Sequence, residues 1–467
     1  MTEIVDNLNN IFWGKILIYL LIGVGLYFTF GTKFIQFRHF RHMFSLLRES
    51  NKSNSYGISS FQALCTTLAA RVGTGNLTGI AIALTAGGPG AIFWMWIIAV
   101  IGMATSFIEN TLAQLYKIKD IDGNYRGGPA YYIKNGLDMP WLGVLFSIFL
   151  ILSFGLIFNA VQSNSIAQAA SFAFKFKPHY IGIILSVTCG IIIFGGFKFI
   201  ARIAEFVVPI MAISYLTLAI WIMITHIAQL KDIFLLIIKE AFGYQKAIGG
   251  IMGYTVYQSM IQGIQRGLFS NEAGMGSSPN AAAAATPYPP HPASQGYIQM
   301  LGVFVDTIVI CSATAIIIIL SGALDTNQSI SGIELTQKAL SLVIGEWGKY
   351  FIAIAIFFFA FTSIIANYAY AESNMIFLEK NYKIKLYILR IGTLIMIIFG
   401  SITEMPFVWK LADLSMGFMT LINLIAILML SNVAFKVTQD YNEQKEMGKL
   451  PKFKTSNYFK IKNDVWK

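Results

Sequence analysis

Arg71-Val-Gly-Thr-Gly-Asn-Leu-Thr-Gly79 and Gly267-Leu-Phe-Ser-Asn-Glu-Ala-Gly-Met-Gly276 decide how this chain is read, because each interrupts an otherwise apolar stretch with glycine. Irregular backbone at membrane depth leaves N–H and C=O groups unpaired, at roughly several kcal/mol each, unless it lines a cavity or binds something. Gly73 and Gly75 flank Thr74, so the backbone can leave helical geometry and a solute can approach it without meeting a Cβ. Half-helix N termini then suit a carboxylate, and unwound carbonyls suit a cation or an ammonium group. A zwitterionic amino acid offers both charges. The competing reading, in which glycines only let helices pack closely, fits Gly23 and Gly25 better; Asn76, Ser270, Asn271 and Glu272 add polar groups that close packing does not need.

The rest of the chain sets these breaks in a membrane. Of 467 residues 56% are hydrophobic and 12% charged, with a mean hydropathy of +0.63, more apolar surface than a soluble fold could hide. Apolar runs give about eleven spans, at 11–30, 57–86, 90–117, 141–173, 179–197, 200–226, 248–282, 295–322, 347–377, 386–404 and 408–433. The expected fold is therefore an all-α integral membrane protein, since no barrel-like alternation recurs. The run 11–30 is long enough to span and is expected to be retained rather than cleaved as a signal peptide. Cys65, Cys189 and Cys311 each fall within a span, which argues against a disulfide framework.

Most of the 34 Lys and Arg residues lie in 31–56, 117–140, 198–202, 378–390 and 433–467; the alternate loops hold Lys175, Lys177, Lys231, Lys239, Lys246 and Lys338. That bias puts the N terminus outside and the C terminus in the cytoplasm. It also accounts for the net charge of +11 as a topology signal, so no nucleic-acid partner is implied. The two breaks fall in spans two and seven, an odd number of spans apart, so the second copy enters from the opposite side. Residues 57–226 and 248–433 then form two five-helix repeats of inverted topology, with 11–30 as an extra first span and 434–467 as a cytoplasmic tail; this is the arrangement of LeuT-type transporters.

Four strings carry a family resemblance: the segment from Arg71 to Gly79, Gly87-Gly-Pro-Gly-Ala-Ile-Phe-Trp-Met-Trp96, Gly127-Gly-Pro-Ala-Tyr-Tyr132 and Gly267-Leu-Phe-Ser-Asn-Glu-Ala-Gly-Met-Gly-Ser-Ser-Pro279. Together they resemble the alanine or glycine:cation symporter family, also called the sodium:alanine symporter family, over nearly the whole chain. The resemblance implies a LeuT-like fold and sodium-coupled uptake of a small neutral amino acid across a prokaryotic inner membrane. It places the substrate carboxylate at Gly73, Thr74, Gly75 and Asn76 and the amino group near Phe269, Ser270 and Asn271. Gln162 and Asn164, in a stretch that also holds Asn159 and Gln168, would form part of the wall. Amide hydrogen bonds between helices are the alternative for those four side chains.

In LeuT-like transporters one sodium site lies between the unwound span and a Thr-Ser pair. Thr362-Ser363 fits that pattern, and its hydroxyls with the carbonyls of Ala69, Val72 and Phe359 would supply five oxygens. The alternative is that both hydroxyls bond back to carbonyls of their own helix. Many relatives carry a Trp after Thr-Thr-Ile-Leu-Gly, whereas here Thr362-Ser-Ile-Ile-Ala-Asn367 puts Asn367 in that place. A more polar substrate such as glutamine, asparagine or serine is therefore an alternative to alanine or glycine, and protons are an alternative to sodium.

Arg71, Glu109, Arg202, Glu205, Arg266, Glu272, Asp306 and Glu372 lie in or beside spans, where an isolated charge costs ~2.5 kcal/mol or more. They need partners, and Arg71 and Arg266 are placed to reach Glu109, Glu272 or Glu372, as gates or as fixed structural pairs. His39 and His42, with Arg38 and Arg41, read as a lipid-facing basic patch rather than a metal site. Thr286-Pro-Tyr-Pro-Pro-His-Pro292 reads as a stiff connector and Gly123-Asn-Tyr-Arg-Gly-Gly as a turn. No HExxH, Gly-x-Ser-x-Gly or Walker signature supports an enzyme or an ATPase. The chain is expected to need no cofactor beyond Na+ as coupling ion, with the amino acid, Na+ and membrane lipid as partners and no obligate protein partner. One sodium ion crossing ~100 mV down an assumed ~tenfold gradient releases roughly 3.7 kcal/mol, enough for several-hundred-fold accumulation. A passive solute channel is the rival of a different class.

Overall fold

A computed structural model describes residues 2–51, 56–243, 252–326, 330, 332–378, 382–455 and 465–466. Residue 248, where the seventh span was expected to begin, and Lys52, Lys246, Lys380, Lys460, Lys462 and Lys467 lie outside the described residues. Helices dominate, and among the described residues the one sheet is a ribbon in which Ile118 pairs with Arg126 and Lys119 with Tyr125. The expected turn lies within this ribbon, where Asp120 Oδ1 accepts the N–H groups of Asp122 and Asn124.

Among the described residues eight helices are long and apolar enough to cross a membrane: Glu3–Gly31, Gly90–Leu115, Pro140–Phe174, Phe197–Thr225, Pro292–Leu320, Gly348–Leu378, Lys383–Ile402 and Met405–Met429. Gly75–Gly87 and Pro178–Ile193 are apolar but shorter. The remaining expected span contains Met252–Asn271, which carries Gln258, Gln262, Gln265 and Arg266 and is not among the eight. The eleven sequence spans thus divide into full crossings, shorter helices and broken ones.

Burial sorts the helices into an inner and an outer layer. The apolar window of 90–115 is 72% buried, that of 405–429 is 67% buried, and that of 197–225 only 28%. Outer helices present Phe206, Ile191 and Ile388 outward, an apolar surface that suits lipid and would be costly in water. Inner helices trade those residues for polar ones: Ser106, Glu109, Asn110 and Gln114 all face inward on helix 90–115. The first helix is anchored to the last crossing, where Trp13 Nε1 donates to the Asp413 carbonyl and Lys410 pairs with Asp6 at 2.9 Å.

The two breaks appear where glycine was found. Helix Ser60–Arg71 opens on a capping box, with Ser59 Oγ accepting the Gln62 N–H and Gln62 Oε1 accepting the Ser59 N–H, both at 3.0 Å. It stops at Val72, and regular structure resumes with a π-helical turn, Gly75–Gly79. Helix Met252–Asn271 ends in a loop whose Glu272, Gly274 and Gly276 hold φ of 57°, 89° and 80°, before the short helix Pro279–Ala284. Left-handed geometry is easy for the two glycines and strained for Glu272.

Candidate functional site

At the first break two backbone N–H groups point at side-chain oxygens. Gly73 N–H is shared between Asn76 Oδ1 and the Arg71 carbonyl, each at 3.0 Å, and Thr74 N–H donates to Gln162 Oε1 at 3.0 Å. Neutral amide oxygens thus stand where an unwound helix offers its partial positive charge. Contact is close: a methyl at Gly73 would lie 2.3 Å from Ser363 Oγ and 2.8 Å from Gln162 Oε1, and one at Gly75 would lie 3.0 Å from Ser270 Cα. Gly73 and Gly75 therefore let the first break touch helix 348–378 and the second break directly.

The expected sodium residues converge in part. Ser363 Oγ donates to the Ala69 carbonyl at 2.8 Å and to Phe359 O at 3.0 Å, joining helix 60–71 to helix 348–378. Thr362 Oγ1 bonds back to Phe358 O and Phe359 O, each at 3.0 Å. Back-bonding and convergence therefore coexist, and each hydroxyl oxygen keeps lone pairs. Val72 is the residue at which helix 60–71 ends, one position from Gly73. Ser363 Oγ, Thr362 Oγ1 and the carbonyl oxygens of Ala69 and Phe359 are thus linked through hydrogen bonds into one set of neutral oxygen donors.

Other expected residues separate. Asn164 turns away: its Nδ2 donates to the carbonyls of Gly400 at 2.9 Å and Thr403 at 2.7 Å, tying down the end of helix 383–402. Gln162 and Asn164 are two positions apart on one helix and so cannot face the same way. Asn76 uses its Oδ1 on Gly73 and its Nδ2 on Asp306, so it shapes the break with both ends of its amide. Asn271 Oδ1 caps the Ala273 N–H at 3.0 Å while its Nδ2 is buried without a partner among the described residues. Asn367 Nδ2 donates to Asn159 Oδ1 at 3.2 Å, and its own Oδ1 is likewise unpartnered. Phe269 packs between Phe158 and Trp409, with ring centroids 4.8 and 4.5 Å apart.

Several residues at the site were not singled out from sequence. Trp409 stands against both breaks: a methyl at Gly79 would lie 3.6 Å from its ring, Phe269 packs against it at a tilt, and the Arg266 guanidinium sits 4.8 Å above it. Trp409, Phe269 and Phe158 thus form a run of aromatic rings beside the breaks. Cys311 Sγ lies 3.2 Å from both Asn76 Nδ2 and Ser270 Oγ. The signal for Trp409 was an aromatic four residues before Asp413 in the last crossing, indistinguishable in sequence from a packing residue.

The buried charges meet the expectation in part: Arg71 acts on Glu109 and Glu272, whereas Arg266 and Glu372 find other partners. Arg266 pairs with Asp413 at 2.5 Å, Arg126 with Asp120 at 3.0 Å and with Glu372 at 3.6 Å, and Glu205 accepts from Gln62 at 2.8 Å. Arg71 donates to the Gln299 carbonyl at 3.1 Å and to Ser106 at 3.4 Å, without a direct ion pair among the described residues. Glu109 accepts the N–H groups of Gly274 and Gly276, each at 3.2 Å, and Asn423 Nδ2 at 2.9 Å, which fills the concave turn of the second break with a carboxylate. His39 and His42 are not a lipid-facing patch: His42 bonds Tyr441 at 2.9 Å and His39 lies 3.3 Å from Lys445. Burial and the nearby Lys445 push both histidines down to about 4. The proline-rich connector is held by Ile58, which bonds Ala284 and Thr286, and by His291 pairing with Asp440 at 3.0 Å.

This site sits in a chain with close relatives. The sodium:alanine symporter family matches residues 1–455. The chain is 50% identical over 454 residues to a probable sodium/glutamine symporter, GlnT, of Bacillus subtilis, covering 97% of this chain and 93% of the relative. It is 48% identical over 458 residues to an uncharacterized transporter, YaaJ, of Escherichia coli, covering 98% and 96%. It is 35% identical over 450 residues to a sodium/alanine symporter, AgcS, of Methanococcus maripaludis, covering 94% and 97%. With these matches running nearly end to end, the chain belongs to the sodium:alanine symporter family, a family of membrane transporters rather than enzymes.

Proposed function

We propose that this chain carries a small neutral amino acid, of the alanine or glycine class, into the cell together with Na+ by alternating access. The observation that carries this reading is the pair of N–H groups at Gly73 and Thr74, held by the neutral amide oxygens of Asn76 and Gln162. A substrate carboxylate is a stronger acceptor than an amide and takes their place. The ammonium group then lies toward Ser270 and Asn271, and Phe158, Phe269 and Trp409 enclose the short side chain. Sodium is held by Thr362, Ser363 and the carbonyls of Ala69, Val72 and Phe359, next to the break that it orders. Residues 57–226 and 248–433 act as the two inverted five-helix repeats of a LeuT-like fold, with the N terminus outside and the tail 434–467 in the cytoplasm. The charge bias of the loops supports that orientation.

A substrate with a side-chain amide, glutamine or asparagine, is the second reading. It is favoured by Asn367 Oδ1, which lies beside Asn159 without a partner among the described residues, and by the name of the Bacillus relative. Uptake of labelled alanine into proteoliposomes, with and without an inward sodium gradient, tests both readings. Uphill accumulation only with the gradient supports symport, and equilibration without accumulation marks a passive channel. Competition by unlabelled glycine, serine, asparagine and glutamine ranks the substrates.

A further inference from the structure

Lys119 and Lys134 flank an open cavity of about 790 Å³ beside the basic loop 117–140. Lys119 belongs to the two-stranded ribbon and Lys134 to the short helix Pro129–Gly136, and both are exposed. Aromatic rings steer their ammonium groups without neutralising them: Lys119 Nζ sits 3.7 Å from the centre of the Tyr56 ring and Lys134 Nζ 5.6 Å from that of Phe377. Among the described residues neither ammonium meets a carboxylate. Asp120, the carboxylate that lines the cavity, is spent on Arg126 Nε at 3.0 Å and on the N–H groups of Asp122 and Asn124. Two positive charges are thus left to be balanced, which suits an anion.

The facing wall is apolar and continues along a spanning helix. Val144, near the start of helix 140–174, and Phe377 and Leu378, at the end of helix 348–378, close the cavity. From Val144 the exposed Ile148 and Leu152 follow at intervals of four residues, a stripe about 12 Å long on one face of helix 140–174. Ile121, 78% exposed, lines the mouth, and Trp141, 66% exposed, follows the lining Pro140, as suits residues at a membrane surface. A free phosphate or an acidic peptide uses the lysines and leaves the stripe without a partner. An anionic head carrying an acyl chain uses both.

We propose that this cavity binds an anionic phospholipid, its phosphate between Lys119 and Lys134 and an acyl chain along Val144, Ile148 and Leu152. The site goes beyond the transport reading and does not depend on it. The proposed orientation sets it in the cytoplasmic leaflet, whose surface is negative, but the chemistry of binding is the same in either leaflet.

Native mass spectrometry of the purified full chain in detergent, titrated with phosphatidylglycerol, phosphatidylcholine or glycerol 3-phosphate, tests the assignment. The first phosphatidylglycerol is expected to bind about 30-fold more tightly than phosphatidylcholine, the equivalent of ~2 kcal/mol from two lysines. Lys119→Ala/Lys134→Ala should bring the two lipids close to equal, and Lys119→Arg/Lys134→Arg should keep the preference. Equal binding of the two lipids by the parent chain, or a preference unchanged in the alanine variant, overturns the proposal. Glycerol 3-phosphate bound as tightly as phosphatidylglycerol marks a site for free phosphate and overturns the lipid site. A lipid-free dimer that the alanine variant dissolves assigns the lysines to a second copy of the chain and does the same. If the double variant does not fold, Lys134→Ala alone decides: a roughly fivefold fall in the preference supports the site, and an unchanged ratio overturns it.

Discussion

The two breaks solve the same problem with opposite chemistry. At the first, the loosened N–H groups of Gly73 and Thr74 rest on neutral amides from Asn76 and Gln162. At the second, the N–H groups of Gly274 and Gly276 rest on the carboxylate of Glu109, which Asn423 also holds. A resident carboxylate is a permanent occupant, whereas an amide is a weaker acceptor that a substrate carboxylate can replace. The second turn is therefore closed by the protein's own charge, and the proposed function has the first exchange its amide acceptors for a ligand. Their handedness differs too: the second needs left-handed backbone at Glu272, Gly274 and Gly276, while Thr74 keeps ordinary right-handed angles and the first break can return toward helix.

The largest effect is expected from removing the contact that glycine permits. Gly73→Ala places a methyl 2.3 Å from Ser363 Oγ and 2.8 Å from Gln162 Oε1, disturbing the expected sodium and carboxylate positions together. Transport should be abolished while the protein still elutes as a folded species; sodium-driven uptake near the parent rate would show that this approach is not needed. Next, Gln162→Glu gives the first break the kind of resident carboxylate that the second has. Amino-acid affinity should fall by ~30-fold or more, corresponding to ~2 kcal/mol, with thermal stability kept. Unchanged affinity in a binding titration would erase the distinction between the breaks.

The reverse exchange is smaller and lies on stability. Glu109→Gln puts an amide where two N–H donors expect a carboxylate, and should lower unfolding stability by ~2 kcal/mol, read as a fall in melting temperature in detergent. Equal melting temperatures would mean that the second turn holds itself. The smallest effect concerns His39 and His42, which the fold holds neutral with values lowered to about 4. The unfolded chain binds protons at these sites from about pH 6.5 downward, so stability is fully present above that value and declines as pH falls toward 4. Both rings are partly exposed, which makes the slope shallow. Melting temperature against pH should flatten in His39→Asn/His42→Asn, and an unchanged slope would assign the decline to other groups.

Sequence carried the fold further than the site. Apolar runs long enough to span were plain, and glycine clusters inside them marked both breaks, because few other reasons exist for irregular backbone in lipid. Local spacing also contained the warning about Asn164, since residues two apart on a helix face different neighbours. What local spacing did not contain was which distant group meets which. Arg266 found Asp413, 147 positions away, and Glu372 found Arg126. Asp306 read as one more charge needing a partner, and only the packing of helix 292–320 against both breaks shows it joining Asn76 to Ser270. Trp409 was hidden for the same reason: a tryptophan in a span is ordinary until its neighbours are known.

Competition for bound alanine between unlabelled alanine and alaninamide, on the purified chain in sodium, tests most directly whether the first break receives a carboxylate. The amide keeps the ammonium group and side chain but replaces the carboxylate with the same neutral group that Asn76 and Gln162 already present. Displacement by alanine with little or none by alaninamide is the predicted result. Equal displacement by both would contradict the account, because the Gly73 and Thr74 N–H groups would then not be selecting for negative charge.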